Sequence, residues 1–277
     1  MKSVILVTGA SSGIGFDTAR QLAQQGHRVY AAARRTDRME ALRSYGINVL
    51  YLDVTDETSM RDAVNTLLQA EQRIDVLVNN AGYGYFGPIE EVSLEEARRQ
   101  LEVNVFGMAR MCQLVLPAMR RQRSGRIVNI SSIAGKAVFY MGGWYNASKY
   151  AVEALSDALR MEVRPFGIEV VLVEPGLIKT DWGLIAARHL AESTASGIYA
   201  ESGSNWANSL HQTYTSRWPS SPAVITKLVC RAVNSRRPRT RYRRGRASRL
   251  TLFLHALLPT RWWDALMRKL GNVRLKK

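Results

Sequence analysis

The stretch TGASSGIG, Thr8 to Gly15, constrains this chain more than any other. It follows an apolar run at 4–7 and leads into a helix-like segment, so Gly9, Gly13 and Gly15 fall where a strand turns into a helix. Glycine admits positive φ and lets another backbone approach closely. A helix that starts at such a turn presents unpaired N–H groups and a partial positive charge. Two readings follow: a tight turn and nothing more, or a cradle for a pyrophosphate formed by Gly9, Ser11, Ser12, Gly13, Ile14 and Gly15. The spacing is Gly-x3-Gly-x-Gly, not the G-x-G-x-x-G of many dinucleotide folds.

The alternation continues along the chain. Strand-like runs at 4–8, 27–33, 49–52, 74–79, 126–131 and 168–173 are interleaved with helical patterns at 14–25, 58–70, 94–119 and 146–164. The strands are apolar throughout, which fits a parallel sheet covered on both faces. Right-handed crossovers then give an α/β, doubly wound parallel sheet of Rossmann type in three layers. Ligands of such sheets bind beyond the carboxyl ends of the strands, where Gly9, Asp53, Asn80, Ser132 and Pro175 all fall. Residues 181–222 break the rhythm, with Trp182, Trp206 and Trp218 among Ser, Ala, Gly and Asn, and are expected to lie over the crevice as a partly helical insertion. Residues 1–233 are expected to form the sheet domain. Residues 234–277 form a basic C-terminal extension, with 234–249 as linker and 250–277 as one or two short helices.

An apolar share of 46% with 22% charged residues is ordinary for a soluble globular protein. Cys112 and Cys230 give neither a disulfide framework nor metal-ligand spacing, so no metal is expected and a reducing, cytoplasmic compartment suits the chain. No secretory signal and no apolar run of the ~20 residues that a membrane span needs are expected.

The second strand ends in AAARR. An acid there would bond the adenosine ribose hydroxyls and repel a 2′-phosphate. Arg34 and Arg35 can instead clamp a phosphate, each charge-assisted bond contributing about 1.5–3 kcal/mol. NADP(H) is therefore expected in preference to NAD(H).

Tyr145 and Lys149 are four apart in the helix-like YNASKYAVEAL, so they share a face. A phenol titrates near ~10. A neighbouring ammonium lowers that value, so Tyr145 is expected to exchange a proton near neutral pH. Ser132, thirteen residues upstream, could hold a substrate carbonyl oxygen beside that hydroxyl. Ser131 competes for the role, and the spacing favours Ser132.

TGASSGIG, Asp53–Val54, NNAG at 79–82, Asn104, ISS at 130–132, YNASK at 145–149 and PGLIKT at 175–180 stand in one order. That ordered set resembles the short-chain dehydrogenase/reductase family, and among its members the NADP-dependent aldehyde, retinal and 17-ketosteroid-like reductases. The resemblance implies that Ser132, Tyr145 and Lys149 are the catalytic trio and that Asn104 supports a water-linked proton relay to the lysine. It implies that Asp53 and Val54 contact adenine and that Asn80, Ala81 and Gly82 underlie its ribose. Pro175, Gly176, Ile178 and Thr180 would hold the nicotinamide amide, and Lys149 the nicotinamide ribose. The implied reaction is hydride transfer between nicotinamide C4 and the carbonyl carbon of an apolar aldehyde or ketone. The alternatives are a 3-oxoacyl (acyl-carrier-protein) reductase and a non-catalytic cofactor-sensing scaffold. Tyr85, Phe139 and Trp182, with Phe86, Trp144 and Trp206 nearby in the chain, are expected to line an aromatic substrate pocket. A homodimer or homotetramer paired through helices at 97–120 and 146–163 is also implied.

The net charge of +16 is uneven: residues 236–277 hold fourteen Lys/Arg and one acid, or +13, and leave +3 for the rest. At 261–270 Trp262, Leu266 and Leu270 form a stripe with Trp263 and Met267 beside it, and Gly271 is expected to end the helix. A basic amphipathic helix with tryptophans suits an anionic membrane surface. Docking on the chain's own body is the competing reading. Nucleic acid is disfavoured, since no reading module accompanies the basic run.

Overall fold

The computed structural model of the chain describes residues 2–270. The elements run β1 (Val4–Thr8), α1 (Gly13–Gln24), β2 (Arg28–Ala33), β3 (Asn48–Tyr51), α2 (Glu57–Glu71), β4 (Val76–Asn79), α3 (Leu94–Leu101), α4 (Met108–Gln122), β5 (Gly125–Ile130), α5 (Gly143–Val163), β6 (Ile168–Pro175), α6 (Asp181–Ser193), α7 (Ala200–Thr215), α8 (Ala223–Asn234), β7 (Arg241–Arg244), α9 (Ser248–Leu257) and α10 (Thr260–Leu270). The strands pair in the order β3-β2-β1-β4-β5-β6-β7, every pair parallel. The strand order reverses between β1 and β4, which opens a crevice beyond their carboxyl ends.

Both faces of the sheet are covered, as the continuous apolar strands require. On one face Met60 and Leu67 of α2, Met111 and Met119 of α4 and Val152 of α5 pack against Leu6, Leu77 and Ile127. On the other, Leu22 of α1 and Ile225 and Val229 of α8 pack against Ile5, Val7 and Val171. Asp56 starts α2 by accepting from the N–H groups of Thr58 at 2.8 Å and Ser59 at 3.3 Å.

The helix expected over 94–119 is broken. Between α3 and α4 the residues Glu102–Gly107 form a π-helical segment that contains Asn104. Gly107 ends it under the carbonyl of Val54, 2.4 Å from where a Cβ would stand. A π-turn adds a residue without disturbing the apolar stripe enough to be read from periodicity.

The stretch 234–249 is not a linker. Arg241–Arg244 is the seventh strand, paired with Leu172–Pro175 of β6, and the sheet domain therefore continues past the boundary expected at 233/234. Two of the strand's three arginines are paired with acids in place. Arg241 lies 3.1 Å from Glu153, 2.5 Å from Asp157 and 3.1 Å from Glu174, and Arg243 lies 2.5 Å from Glu174. The insertion is two helices, α6 and α7. Helix α10 turns Trp263 and Met267 inward, onto Ala137, with Leu266 half-buried beside them, and leaves only Trp262 and Leu270 of the expected stripe exposed. Gly271 lies outside the described residues.

Candidate active site

The glycine turn and the loop after β4 meet at the crevice. Gly9 has φ +64°, and a Cβ there would stand 2.7 Å from Ala81 Cα; at Gly15 it would stand 2.4 Å from Asn80 Nδ2. Neither position admits a side chain. Thr8 Oγ1 accepts from the N–H groups of Asn80 and Ala81 at 3.1 Å each, and Asn80 Nδ2 donates to the carbonyls of Thr8 and Gly9, also at 3.1 Å. The Asn80 side chain, expected beneath a ribose, is thus committed to holding the turn.

Ser12 begins α1 in extended backbone with no side-chain cap, so the first N–H groups of the helix keep no side-chain partner. Arg35 Nη2 donates to Ser11 Oγ at 3.2 Å, and Arg34 Nη1 stands 3.8 Å from Asp53 Oδ2. Asp53 also accepts from Thr55 N at 3.0 Å, and Val54 is buried. A Cβ on Gly13 would lie 3.1 Å from Thr180 Cγ2, so the loop after β6 closes against the glycine turn. Pro175 at the end of β6 and Gly176 and Ile178 in that loop lie at the same end of the sheet. The Gly176 N–H donates to the carbonyl of Arg244 in β7 at 2.8 Å. A side-chain-free turn, an uncapped helix start and two guanidiniums beside it fit the phosphates of a dinucleotide.

Helix α5 carries Tyr145 and Lys149 one turn apart, both buried. Lys149 Nζ donates to the carbonyl of Ile130 at 3.0 Å. Asn104 is buried: its Oδ1 accepts from Tyr83 N at 3.0 Å, and its Nδ2 donates to Tyr83 O at 2.9 Å and to Ser148 Oγ at 3.0 Å. Ser148 Oγ donates in turn to the Tyr145 carbonyl at 2.7 Å. A Cβ on Gly82 would stand 3.0 Å from Asn104 Oδ1 and 3.8 Å from Lys149 Nζ, so Gly82 lies between them. Ser132 faces the Tyr145 phenol, whose pKa it helps to hold down electrostatically, and accepts from Ala134 N at 3.1 Å. The Ser131 hydroxyl instead sits beside Gly135, buried and without a hydrogen-bond partner. The structure thus brings Ser132, not Ser131, to the phenol.

Residues 3–188 match the family model for short chain dehydrogenases. The chain belongs to the short-chain dehydrogenase family. A probable short-chain type dehydrogenase/reductase of Helicobacter pylori, VdlC, is 36% identical over 263 residues, 95% of this chain and 96% of its own length. A 3-ketodihydrosphingosine reductase of Bacteroides thetaiotaomicron is 44% identical over 200 residues, 72% of each chain. Among solved structures, a short-chain dehydrogenase from Streptomyces avermitilis superposes with a TM-score of 0.80 at 33% identity, covering 98% of this chain and 96% of its own. A serine dehydrogenase complexed with NADP+ has a TM-score of 0.77 at 26% identity over 88% and 95% of the two chains. A family member from Burkholderia phymatum in complex with NAD has a TM-score of 0.80 at 25% identity over 92% and 93%. Structures similar to this one thus hold NADP or NAD.

Within this short-chain dehydrogenase, one electrostatic expectation is overturned. Burial pushes the Tyr145 phenol up to about 12, with Ser132 working against it. Desolvation disfavours the phenolate, and the Lys149 ammonium is engaged by the Ile130 carbonyl. Burial likewise brings Lys149 down to about 8, while Glu153 one turn further along raises it.

The Tyr145 ring forms the floor of an aromatic cluster. Its centroid lies 5.0 Å from Trp182 and 5.6 Å from Phe86, and Phe139 packs against the same group. Tyr85 stacks on His189 at 4.9 Å, so its neighbour Phe86 is the residue that meets the phenol. Sequence reasoning also missed Tyr214, whose ring lies 6.3 Å from Trp182. Its place in the helical insertion offered no signal, because α7 is mostly polar.

Proposed function

We propose that this chain is an NADP(H)-dependent carbonyl reductase, or alcohol dehydrogenase in the reverse direction, acting on an apolar aldehyde or ketone. The observation that carries the reading is the Tyr145 phenol, buried among aromatic rings, beside Ser132 and one turn from Lys149. A phenol with its pKa raised to about 12 is protonated throughout the neutral range, and so is ready to donate to a carbonyl oxygen as that oxygen gains charge. Ser132 orients the same oxygen. Lys149, a buried cation in the neutral range, stabilises the phenolate left behind. Asn104 fixes Tyr83 and Ser148 around this group and keeps the π-segment in place.

When bound, the nicotinamide supplies or accepts the hydride. Residues Ser11 to Gly15 would hold the pyrophosphate, Asp53 and Val54 the adenine, Ala81 and Gly82 the ribose beneath it, and Pro175 to Thr180 the nicotinamide amide. Arg35 beside Ser11 and Arg34 beside Asp53 could neutralise a 2′-phosphate on the adenosine ribose, which supports NADP(H).

The walls around Tyr145 are rings and aliphatic chains, with Met141 and Leu190 among them. That lining and the relative named for 3-ketodihydrosphingosine support a long-chain carbonyl substrate. The test is NADPH oxidation by the purified chain, with long-chain aldehydes, long-chain ketones, ketosteroids and 3-oxoacyl thioesters offered in parallel. Turnover on the apolar carbonyls is expected. Turnover on the thioesters alone would move the assignment to acyl-chain reduction, and silence across the panel with NADPH bound would sink the reductase reading. Exposed Tyr150, Leu155 and Met161 on α5, and Phe106 beside α4, also support pairing of two copies through these helices. Sedimentation that returns only monomer would remove that part.

A further inference from the structure

The pair α9–α10 has two unlike sides. Its inner side is fixed to the body: Trp263 and Met267 are buried on Ala137, and Trp263 Nε1 donates to the carbonyl of Val138 at 3.0 Å. His255 of α9 meets the Trp263 ring edge-on at 4.8 Å, which locks the two helices together. The outer side is apolar and, among the described residues, open. Phe253 is 63% exposed, Leu257 66% and Trp262 69%, with Leu250 and Leu270 also exposed. Leu250, Phe253 and Leu257 are spaced three and four apart, so they share one stripe of α9. A cluster of large apolar side chains facing water marks an interaction surface.

The charges around that stripe identify its partner. Arg249, Arg261 and Lys269 are exposed, and none has a carboxylate partner among the described residues, unlike Arg241 and Arg243 in β7. Asp264 is the one acid on the two helices. Two copies meeting through this face would set cation against cation. An anionic leaflet would receive the apolar stripe between its acyl chains and the cations at its headgroups, with Trp262 at the depth where tryptophans collect. Helices of ten and eleven residues are too short to cross a bilayer, and no described helix is long and apolar enough to do so. They can only lie in the surface plane.

The platform also adjoins the active site. Phe139 and Tyr140 pack against Trp263 and Met267 on one side and belong to the aromatic cluster around Tyr145 on the other. We infer that the outer face of α9 and α10 seats this protein on an anionic bilayer and presents its cleft to carbonyl compounds dissolved there. The substrate half of this inference rests on the reductase reading above; the membrane half does not.

Flotation of the full chain with phosphatidylcholine vesicles, with and without phosphatidylglycerol, separates the two halves because it needs no turnover. Binding to the phosphatidylglycerol vesicles is expected, weakening as salt rises. The triple variant Phe253→Ser, Leu257→Ser, Trp262→Ser should bind at least about tenfold more weakly. The variant Arg249→Gln, Arg261→Gln, Lys269→Gln should lose about fivefold per charge on anionic vesicles only. An unchanged melting temperature qualifies each variant, and the charge variant serves if the apolar one fails to fold. No flotation of the wild type, or flotation unaffected by the qualified variants, overturns the inference. So does a concentration-dependent dimer abolished by Phe253→Ser, which would make a second copy the occupant.

Discussion

Lys149 and Glu153 stand one helical turn apart on α5, both buried, and the carboxylate raises the pKa of an ammonium that burial brings down to about 8. Glu153 is itself held by Lys136 at 3.2 Å and Arg241 at 3.1 Å, which soften its field without cancelling it. If protonated Lys149 is the working form, activity falls on the alkaline side as pH rises through that value. Glu153→Gln removes the support, so the alkaline limb of kcat/KM should move to lower pH, since that profile reports the free enzyme. The conservative Glu153→Asp should restore part of the shift. A limb that stays where it was in Glu153→Gln would show that Glu153 acts on the fold alone.

Tyr145→Phe keeps the ring that packs on Phe86 and Trp182 and removes only the hydroxyl. Turnover should fall about 10²–10⁴-fold, the range that one positioned proton donor supplies. NADPH binding and the melting temperature should stay near wild type. Turnover within a factor of a few of wild type would displace Tyr145 from the reaction.

Arg35 bonds Ser11 of the glycine turn and Arg34 stands near Asp53, so the two guanidiniums flank the same edge of the crevice. Arg34→Glu with Arg35→Glu replaces attraction for a 2′-phosphate with repulsion. The ratio of kcat/KM for NADPH over NADH should drop by at least about two decades, at 1.5–3 kcal/mol per charge-assisted bond. A ratio that does not move would leave the arginines as solvated surface charges.

Where side chains answer to local rules, the sequence was readable. Continuous apolar runs such as Val4–Thr8 can only be strands of a covered sheet, and glycines at a strand-to-helix junction leave few backbone paths. The i, i+4 pair of Tyr145 and Lys149 needed nothing beyond helix geometry. Features set by distant partners were not readable. Trp262, Leu266 and Leu270 form as regular a stripe as Trp263 and Met267, and only the seat at Ala137 and Val138 decides that Trp263 and Met267 are buried and Leu266 half-buried while Trp262 and Leu270 stay exposed. The phenol of Tyr145 was expected to feel its ammonium neighbour most, yet the aromatic burial that outweighs it is assembled from residues such as Phe86 and Trp182 far along the chain. Strand β7 was hidden for a similar reason. Four residues, RYRR, carry no apolar run, and the acids that pair with Arg241 and Arg243 lie 67 to 88 residues earlier.

That hidden strand gives the last prediction. Eight arginines fall within 236–249, and sequence alone treats them as one charged run. The structure divides them. Arg241 is 28% exposed and touches three acids, of which Glu153 and Glu174 are buried. Arg249 is exposed and touches none among the described residues. Removing one partner of a buried ion pair leaves the other charge uncompensated, at a cost of about 3–5 kcal/mol. Arg241→Ala should sit at or below the low end, near 3 kcal/mol, because Arg243 still covers Glu174 and water reaches the site. Arg249→Ala should stay within about 0.5 kcal/mol of wild type. Urea denaturation of the two variants compares them directly. Since β7 holds the Gly176 N–H through Arg244, loosening it should also weaken NADPH binding by the 175–180 loop. Equal midpoints for the two variants would mean that β7 contributes pairing and no electrostatics, and would return all eight arginines to the surface role that the sequence suggested.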